Sequence, residues 1–310
     1  MRILLTGGSG MVGRNFLDHP KVDLFEVFAP SSKELNLLDI TAVKNWLAEY
    51  RPDLVIHAAG RVGGIQANVK DPAGFLLDNL DMGRNIVAAA NQAGISKLIN
   101  LGSSCMYPKS AENPLREHMI LSGDLEPTNE GYALAKIAVS RLCEYYTQQS
   151  SRCSYKTLIP CNIYGRFDSF SSEKSHLLPA IIRKIDHAKS NGLTQVEIWG
   201  DGQAKREFMY AGDLADALVQ AVMRFDQLPQ NMNIGLGFDH SINAYYQAVA
   251  AVLDYKGEFV HDLNRPVGMA RKLVAIDKQK SWGWQAKTDL STGIRLSYEY
   301  YLEFEKSRPC

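Results

Sequence analysis

The stretch Ile3-Leu4-Leu5-Thr6-Gly7-Gly8-Ser9-Gly10-Met11-Val12-Gly13 decides the fold. An apolar run of strand length passes directly into a glycine turn, and helix-forming sequence follows. Gly7 permits the tight turn, Gly10 lets backbone approach a pyrophosphate, and Gly13 lets the helix pack against the strand. The new helix then presents its first N–H groups to the phosphates, with Met11 and Val12 in its opening turn. A glycine triplet alone is a weak signal, but between a strand and a helix it predicts dinucleotide binding.

Outward from this loop, short apolar runs alternate with helical patterns. Leu24 to Ala29, Leu54 to Ala59, Leu98 to Ser103 and Tyr155 to Pro160 read as strands. Phe16, the set Val43, Trp46 and Leu47, the segment Phe75 to Ala90 and the segment Tyr132 to Tyr146 mark helices between them. This alternation predicts an α/β fold with a Rossmann-type, doubly wound parallel sheet. After Gly165 the rhythm breaks at the polar segment 166–175 (RFDSFSSEKS). One strand-like run, Val196 to Trp199, and one amphipathic helix through Ile294, Tyr298 and Tyr301 stand out beyond it. The expected organisation is a cofactor-binding domain over 1–165 and a smaller α/β, mainly substrate-binding domain over 166–310. Some later segments return to the first domain in this reading.

Composition narrows the function. In 310 residues, 34 Lys+Arg balance 34 Asp+Glu, which excludes a nucleic-acid reader built on bulk positive charge. At 45% hydrophobic and 22% charged residues the chain is ordinary globular protein, long enough to bury roughly three quarters of its unfolded surface. No apolar run reaches the ~18 residues of a membrane span, and Met1-Arg2 leads straight into a strand without the layout of a secretion signal. Five cysteines (Cys105, Cys143, Cys153, Cys161, Cys310), with no C-x-x-C pair, argue against a disulfide frame and a zinc site. A cytoplasmic enzyme without metal is the expectation.

The cofactor's identity is read at the end of the second strand. A site selective for NAD carries an acidic residue there, to hold the ribose 2′-hydroxyl. This chain has Ala29-Pro30-Ser31-Ser32-Lys33 instead, with Arg14 just after the glycine loop. Hydroxyls and cations suit a 2′-phosphate, so NADP(H) is expected.

Tyr132 and Lys136 lie four residues apart, one turn along the same helical face. An ammonium beside a phenol lowers its pKa, so Tyr132 can exchange a proton with a carbonyl or hydroxyl during hydride transfer. Ser103, at the carboxyl edge of a strand, can hydrogen-bond the same oxygen.

These residues, with the longer strings around them, resemble the GDP-L-fucose synthase family of extended short-chain dehydrogenase/reductases. The strings are 62–68 (VGGIQAN), 101–109 (LGSSCMYPK), 126–136 (EPTNEGYALAK), 162–165 (NIYG), Ser175-His176 and 199–208 (WGDGQAKREF). Together they span almost the whole chain. The resemblance implies an enzyme that epimerises GDP-4-keto-6-deoxy-D-mannose at C3 and C5 and then reduces C4 with NADPH. Cys105 falls where the family has its base and His176 where it has its acid. A 4-keto group acidifies both neighbouring carbons, so one acid/base pair can serve both centres.

The same resemblance places Asn36 and Leu37 at the adenine, Ser32 at the 2′-phosphate, and Ala58, Ala59, Leu101, Pro160, Asn162, Ile163 and His176 along the cofactor. Ser104, Asn162, Lys184, Trp199, Arg206 and Lys272 fall on the nucleotide-sugar side, where a guanidinium suits a diphosphate. A homodimer through the helices at 75–90 and 132–146 is implied, with Ala133, Ala135, Ala138 and Leu142 as a small-residue face.

Two departures stand out. Arg166 replaces the proline of the family's Y-G-P, and Val267 replaces the aspartate of P-D-G, which removes a carboxylate from the nucleotide's surroundings. A GDP-L-colitose-type synthase that inverts only C5, or a C4 reductase without epimerisation, would keep every catalytic residue named. A 4-epimerase or 4,6-dehydratase fits less well, because Ser104-Cys105 offers no carboxylate beside the serine. A non-catalytic NADP sensor would have no use for Tyr132, Lys136, Cys105 or His176.

Overall fold

In a computed structural model the chain is described over residues 1–171, 175–265 and 269–305. The first half runs β1 (Arg2–Thr6), α1 (Met11–Leu17), β2 (Glu26–Phe28), α2 (Ile40–Tyr50), β3 (Leu54–His57), α3 (Ile65–Lys70), α4 (Pro72–Gln92), β4 (Lys97–Leu101), α5 (Glu130–Gln149) and β5 (Ser154–Pro160). The second half runs β6 (Asn162–Tyr164), α6 (Leu177–Ser190), β7 (Gln195–Trp199), β8 (Lys205–Arg206), β9 (Phe208–Tyr210), α7 (Ala211–Met223) and β10 (Asn231–Ile234). It continues through β11 (His240–Ser241), α8 (Ile242–Leu253), β12 (Glu258–Asp262), β13 (Arg271–Lys272), α9 (Asp277–Trp282) and α10 (Leu290–Tyr300).

Six strands form one sheet in the order β10-β5-β4-β3-β1-β2, every pair parallel. The order reverses between β1 and β3, and their carboxyl ends open the crevice in which such sheets bind ligands. This is the Rossmann-type sheet expected. Central strands read as continuous apolar runs because both faces are covered. Leu54, Val55 and Ile56 are all fully buried, Leu54 and Ile56 toward one core and Val55 toward the other. Helix starts are fixed by short acidic caps: Asp39 accepts from Thr41 and Ala42 at α2, and Asp71 accepts from Gly74 at α4, where Pro72 fills the first turn.

A separate core gathers Tyr164, Phe170, Leu178, Ile182, Tyr245 and Ile294, with α6, α8 and α10 around it. β7 pairs with β12, β6 with β9, and β8 lies between β11 and β13. α7 and β10 belong instead to the sheet's core, where Leu214, Leu218 and Ile234 are buried with Phe16 of α1.

Three details differ from the sequence reading. The second strand is only Glu26–Phe28, because Val22–Leu24 coils into a 3₁₀ turn. The fourth ends at Leu101, so Ser103 is not its last residue but the cap of the 3₁₀ turn Ser104–Met106. Ala133, Ala135, Ala138 and Leu142 form no single face: the first two are buried in the protomer, Leu142 is half-buried and Ala138 is exposed. No helix among the described residues is long and apolar enough to cross a membrane.

Candidate active site

The glycine loop closes at the crevice. Gly7 has a φ of +75°, and a Cβ there would lie 2.6 Å from the Ala59 nitrogen. A Cβ on Gly13 would lie 2.3 Å from the Gly7 carbonyl oxygen, so both positions demand glycine. Gly10 differs. Its Cβ would meet only the Gly7 oxygen, at 3.4 Å, and would otherwise fill the open space over the start of α1. No side chain caps α1 and no acidic residue stands in its first turn. A cradle that only a Cβ would obstruct, over uncapped amides, fits a pyrophosphate. Thr6 Oγ1 braces the neighbouring loop by accepting from the Ala59 amide, 3.3 Å away.

The turn at 31–34 is exposed, and Glu34 folds back to accept from the Ser31 amide at 2.8 Å. Ser32 and Lys33 therefore stand at the surface, and Lys33 makes no ion pair among the described residues. Asn36 is exposed too, while Leu37 is buried and its carbonyl accepts from Asn85 of α4 at 2.8 Å. Arg14 does not join Ser32 and Lys33: its guanidinium lies 3.8 Å over the Phe167 ring.

α5 delivers Tyr132 and Lys136 to the carboxyl end of β4. Lys136 is buried and donates to the Leu101 carbonyl at 3.0 Å, with its ammonium 5.8 Å from the Tyr132 ring centre. Burial pushes its pKa down to about 8. The phenol departs from expectation. Desolvation holds Tyr132 above its ordinary range and the nearby Cys105 adds to this, while a hydrogen bond with Ser103 pulls the other way. Tyr132 is thus a protonated donor at neutral pH. His57, beneath them at the end of β3, is pushed down to about 3, first by burial and then by the Lys136 charge, and hydrogen-bonds Thr6 at 2.9 Å. It is neutral at working pH and adds no second cation to the buried lysine.

Cys105 sits on the 3₁₀ turn after β4, where its amide donates to Ser103 Oγ at 3.2 Å. Its Sγ accepts from Asn129 Nδ2 at 3.2 Å and from Lys272 Nζ at 3.4 Å. Ser104 beside it is buried. Ser103, Cys105, Tyr132, Lys136 and Lys272 are therefore brought together. The role of Asn129 was not read from the sequence, although it stands in the 126–136 string.

β13 pairs with β8 so that Lys272 lies opposite Arg206. Arg206 donates to the Lys205 carbonyl, and burial lowers its pKa. Beside it Glu207 is fully buried, accepts from the amides of Leu236, Gly237 and Val274, and is pushed up to about 7 by desolvation against the pull of those donors. Asn162 donates to the Glu207 carbonyl at 2.9 Å. Pro160 and Ile163 flank it on β5 and β6. Farther out, Trp199 is 42% exposed, with Lys184 Nζ 5.4 Å and the Arg265 guanidinium 5.0 Å from its ring. Lys184 has its pKa lowered by burial and, among the described residues, donates only to the Glu197 carbonyl.

His176 is the N-cap residue of α6, half-buried, and lies against Asp168, with its Nδ1 3.6 Å from the carboxylate. Arg166 pairs with Asp18, the C-cap residue of α1, at 2.5 Å. The Pro266-Val267-Gly268 departure lies outside the described residues.

The sheet, the glycine cradle and the tyrosine-lysine pair define a nucleotide-dependent dehydrogenase or epimerase site. The chain belongs to the NAD dependent epimerase/dehydratase family, whose model matches residues 3–235. It is 51% identical over 302 residues to the GDP-L-colitose synthase of Yersinia pseudotuberculosis, covering 97% of this chain and 98% of that one. It is 48% identical over 301 residues to the GDP-L-fucose synthase of Azorhizobium caulinodans, covering 97% and 96%. Among solved structures, a GDP-mannoheptose C4 reductase from Campylobacter jejuni with NADP bound superposes at a TM-score of 0.87 with 32% identity, over 97% of this chain and 98% of that one.

Proposed function

We propose that this chain is an NADPH-dependent epimerase and reductase that converts GDP-4-keto-6-deoxy-D-mannose to GDP-L-fucose. The observation that carries the reading is the Cys105 thiol, held by Asn129 and Lys272 on the same turn as Ser103 and against Tyr132. A reductase needs the serine and tyrosine; only an epimerase has work for a positioned thiol beside them.

The cofactor supplies the hydride to C4, held mainly by residues 1–165 through Gly7, Gly10, Gly13 and the start of α1, with Ser32 and Lys33 toward a 2′-phosphate. Residues 166–310 hold the nucleotide sugar. Lys184 and Arg206 are partly buried cations hydrogen-bonded only to carbonyls among the described residues, and a diphosphate would return the charge stabilisation that burial removes. Trp199 offers a ring face for the base. Ser103 and Tyr132 hydrogen-bond the C4 oxygen and so acidify C3 and C5. Cys105 takes the proton from each carbon, leaving an enolate, and His176 returns one to the opposite face. In the reduction Tyr132 gives its proton to the C4 oxygen, with the Lys136 charge close behind.

The 51% identity to a colitose synthase supports a second reading, in which the substrate is the 3,6-dideoxy-4-keto sugar and only C5 is inverted. NADPH oxidation with each sugar in deuterated buffer, followed by NMR of the product, tests the two. Deuterium at C3 and C5 supports fucose synthesis. Deuterium at C5 alone, with the dideoxy sugar preferred, supports colitose synthesis, and oxidation with no deuterium leaves a plain reductase. No oxidation with either sugar overturns the proposal. We also place the chain in the reducing cytoplasm, consistent with the four free cysteines among the described residues, and as a homodimer through Leu77, Leu134, Ala138 and Tyr145, exposed on α4 and α5.

A further inference from the structure

We propose that Asp168 is a positioning residue for His176: its carboxylate holds the ring by Nδ1–H and turns Nε2 toward the substrate. The inference deepens the reading of His176 as the acid and rests on it.

Asp168 is 6% exposed. Its Oδ1 accepts from the Ser169 amide at 2.8 Å and lies 3.6 Å from His176 Nδ1, while its Oδ2 is buried with no hydrogen-bond partner. His176 Nδ1 is buried and equally without a partner. A buried carboxylate oxygen without a donor is costly, and so is a buried ring nitrogen without one. Nδ1 thus stands against this carboxylate with Oδ1 as its near oxygen, just beyond hydrogen-bond distance, and a small rotation of either side chain closes the gap. That contact would fix the tautomer and leave Nε2 as the one nitrogen free to give a proton. The carboxylate already raises the His176 pKa, against burial. Among the described residues Asp168 is the charged group in contact with the ring.

The segment that carries Asp168 is built to stay still. Phe167, immediately before it, is held at a φ of +68°, a conformation a non-glycine residue keeps only when its surroundings enforce it. The Arg14 guanidinium lies 3.8 Å and that of Arg166 4.8 Å from the Phe167 ring centre, while Asn15 of α1 donates to the Arg166 carbonyl at 3.0 Å. The helix that begins at the cofactor loop thus grips the loop that aims the acid.

The test uses the NADP-bound enzyme with labelled histidine, Asp168→Asn as the variant and His176→Gln to assign one of the seven histidine signals. In Asp168→Asn the His176 titration midpoint is expected to fall by about one pH unit, as for loss of an adjacent opposite charge. The alkaline limb of deuterium incorporation at C5 should move down with it, because the acid must be protonated to work. In the unsubstituted enzyme at high pH, nitrogen shifts should report the Nδ1–H tautomer, a readout that needs no variant to fold. An unmoved midpoint, or the Nε2–H tautomer, overturns the proposal. Should His176→Gln exchange C5 at the full rate, the acid reading fails, and the titration and tautomer still decide whether Asp168 holds the ring.

Discussion

The two walls of the crevice are built differently. On the sheet side, Tyr132 and Lys136 come from a 20-residue helix and Ser103 caps the 3₁₀ turn that follows a central strand, and each is fixed by partners inside the same core. On the other side, Arg206 and Lys272 sit on strands of two residues each, and Trp199 is half out in solvent between two cations. Under the proposed function the first set handles protons, which needs fixed distances and rigid elements, whereas the second recognises a nucleotide and can close onto it. Cys105 spans the two, with its backbone tied to Ser103 and its sulfur to Lys272.

The comparison breaks if the sheet side turns out dispensable. Tyr132→Phe is expected to cut NADPH oxidation ~10²–10⁴-fold, the usual worth of a positioned general acid, while deuterium exchange at C5 falls by less because Ser103 still hydrogen-bonds the C4 oxygen. An equal loss of both would mean that the phenol, and not the serine, holds the enolate. Cys105→Ser should show the reverse pattern, with exchange slowed by ~10²-fold or more and reduction of an already epimerised 4-keto sugar retained.

The next effect is one of structure. Gly13→Ala drives a methyl group to 2.3 Å from the Gly7 carbonyl, a backbone atom that cannot swing away. It should cost about 1–3 kcal/mol of stability and weaken NADP binding, measured by thermal melting and by titration of the cofactor. Lys136 sharpens the picture through pH. Its folded pKa of about 8 lies below its ordinary 10.5. Below pH 8 it is charged in both states and the cost of burying that charge is borne in full. Between about 8 and 10.5 the unfolded chain binds more protons, so this group's contribution to stability improves as pH rises. Reduction should decline over the same interval as the ammonium is lost. Lys136→Met should abolish both trends.

The sheet-side wall is also the part that sequence makes visible. A strand, three spaced glycines and a helix are local signals, and Tyr132 and Lys136 are one helical turn apart. Five of the six strands fall on the mainly apolar runs read from the sequence. β10 is not: its Asn233 is fully buried and bonds Tyr107, Leu115 and Ala275, satisfaction that only the tertiary structure supplies. The two-residue strands that align Arg206 with Lys272 have no periodicity to read. Lys272 and Cys105 are 167 positions apart, and no spacing rule links them. Asp168 lies in a polar segment that reads as loop, and its burial has no sequence signature. The fall in the Tyr132 pKa expected from Lys136 failed because desolvation, which depends on the whole fold, outweighs one nearby charge.

Arg166→Ala gives the smallest effect and the finest test of how the walls are joined. Arg166 stands where the family has proline, and it pairs with Asp18 while lying over Phe167. Both charged side chains are more than a third exposed, and pairs of that kind contribute about 0–1 kcal/mol once solvent screening is counted. The variant should therefore melt within that margin of the unsubstituted protein and lose the difference as salt is raised. Asn15 and Arg14 still hold the loop after the change, so exchange at C5 and its pH profile should stay in place. A profile shifted toward that of Asp168→Asn would mean that the guanidinium, and not the backbone contact from α1, keeps Asp168 aimed at His176.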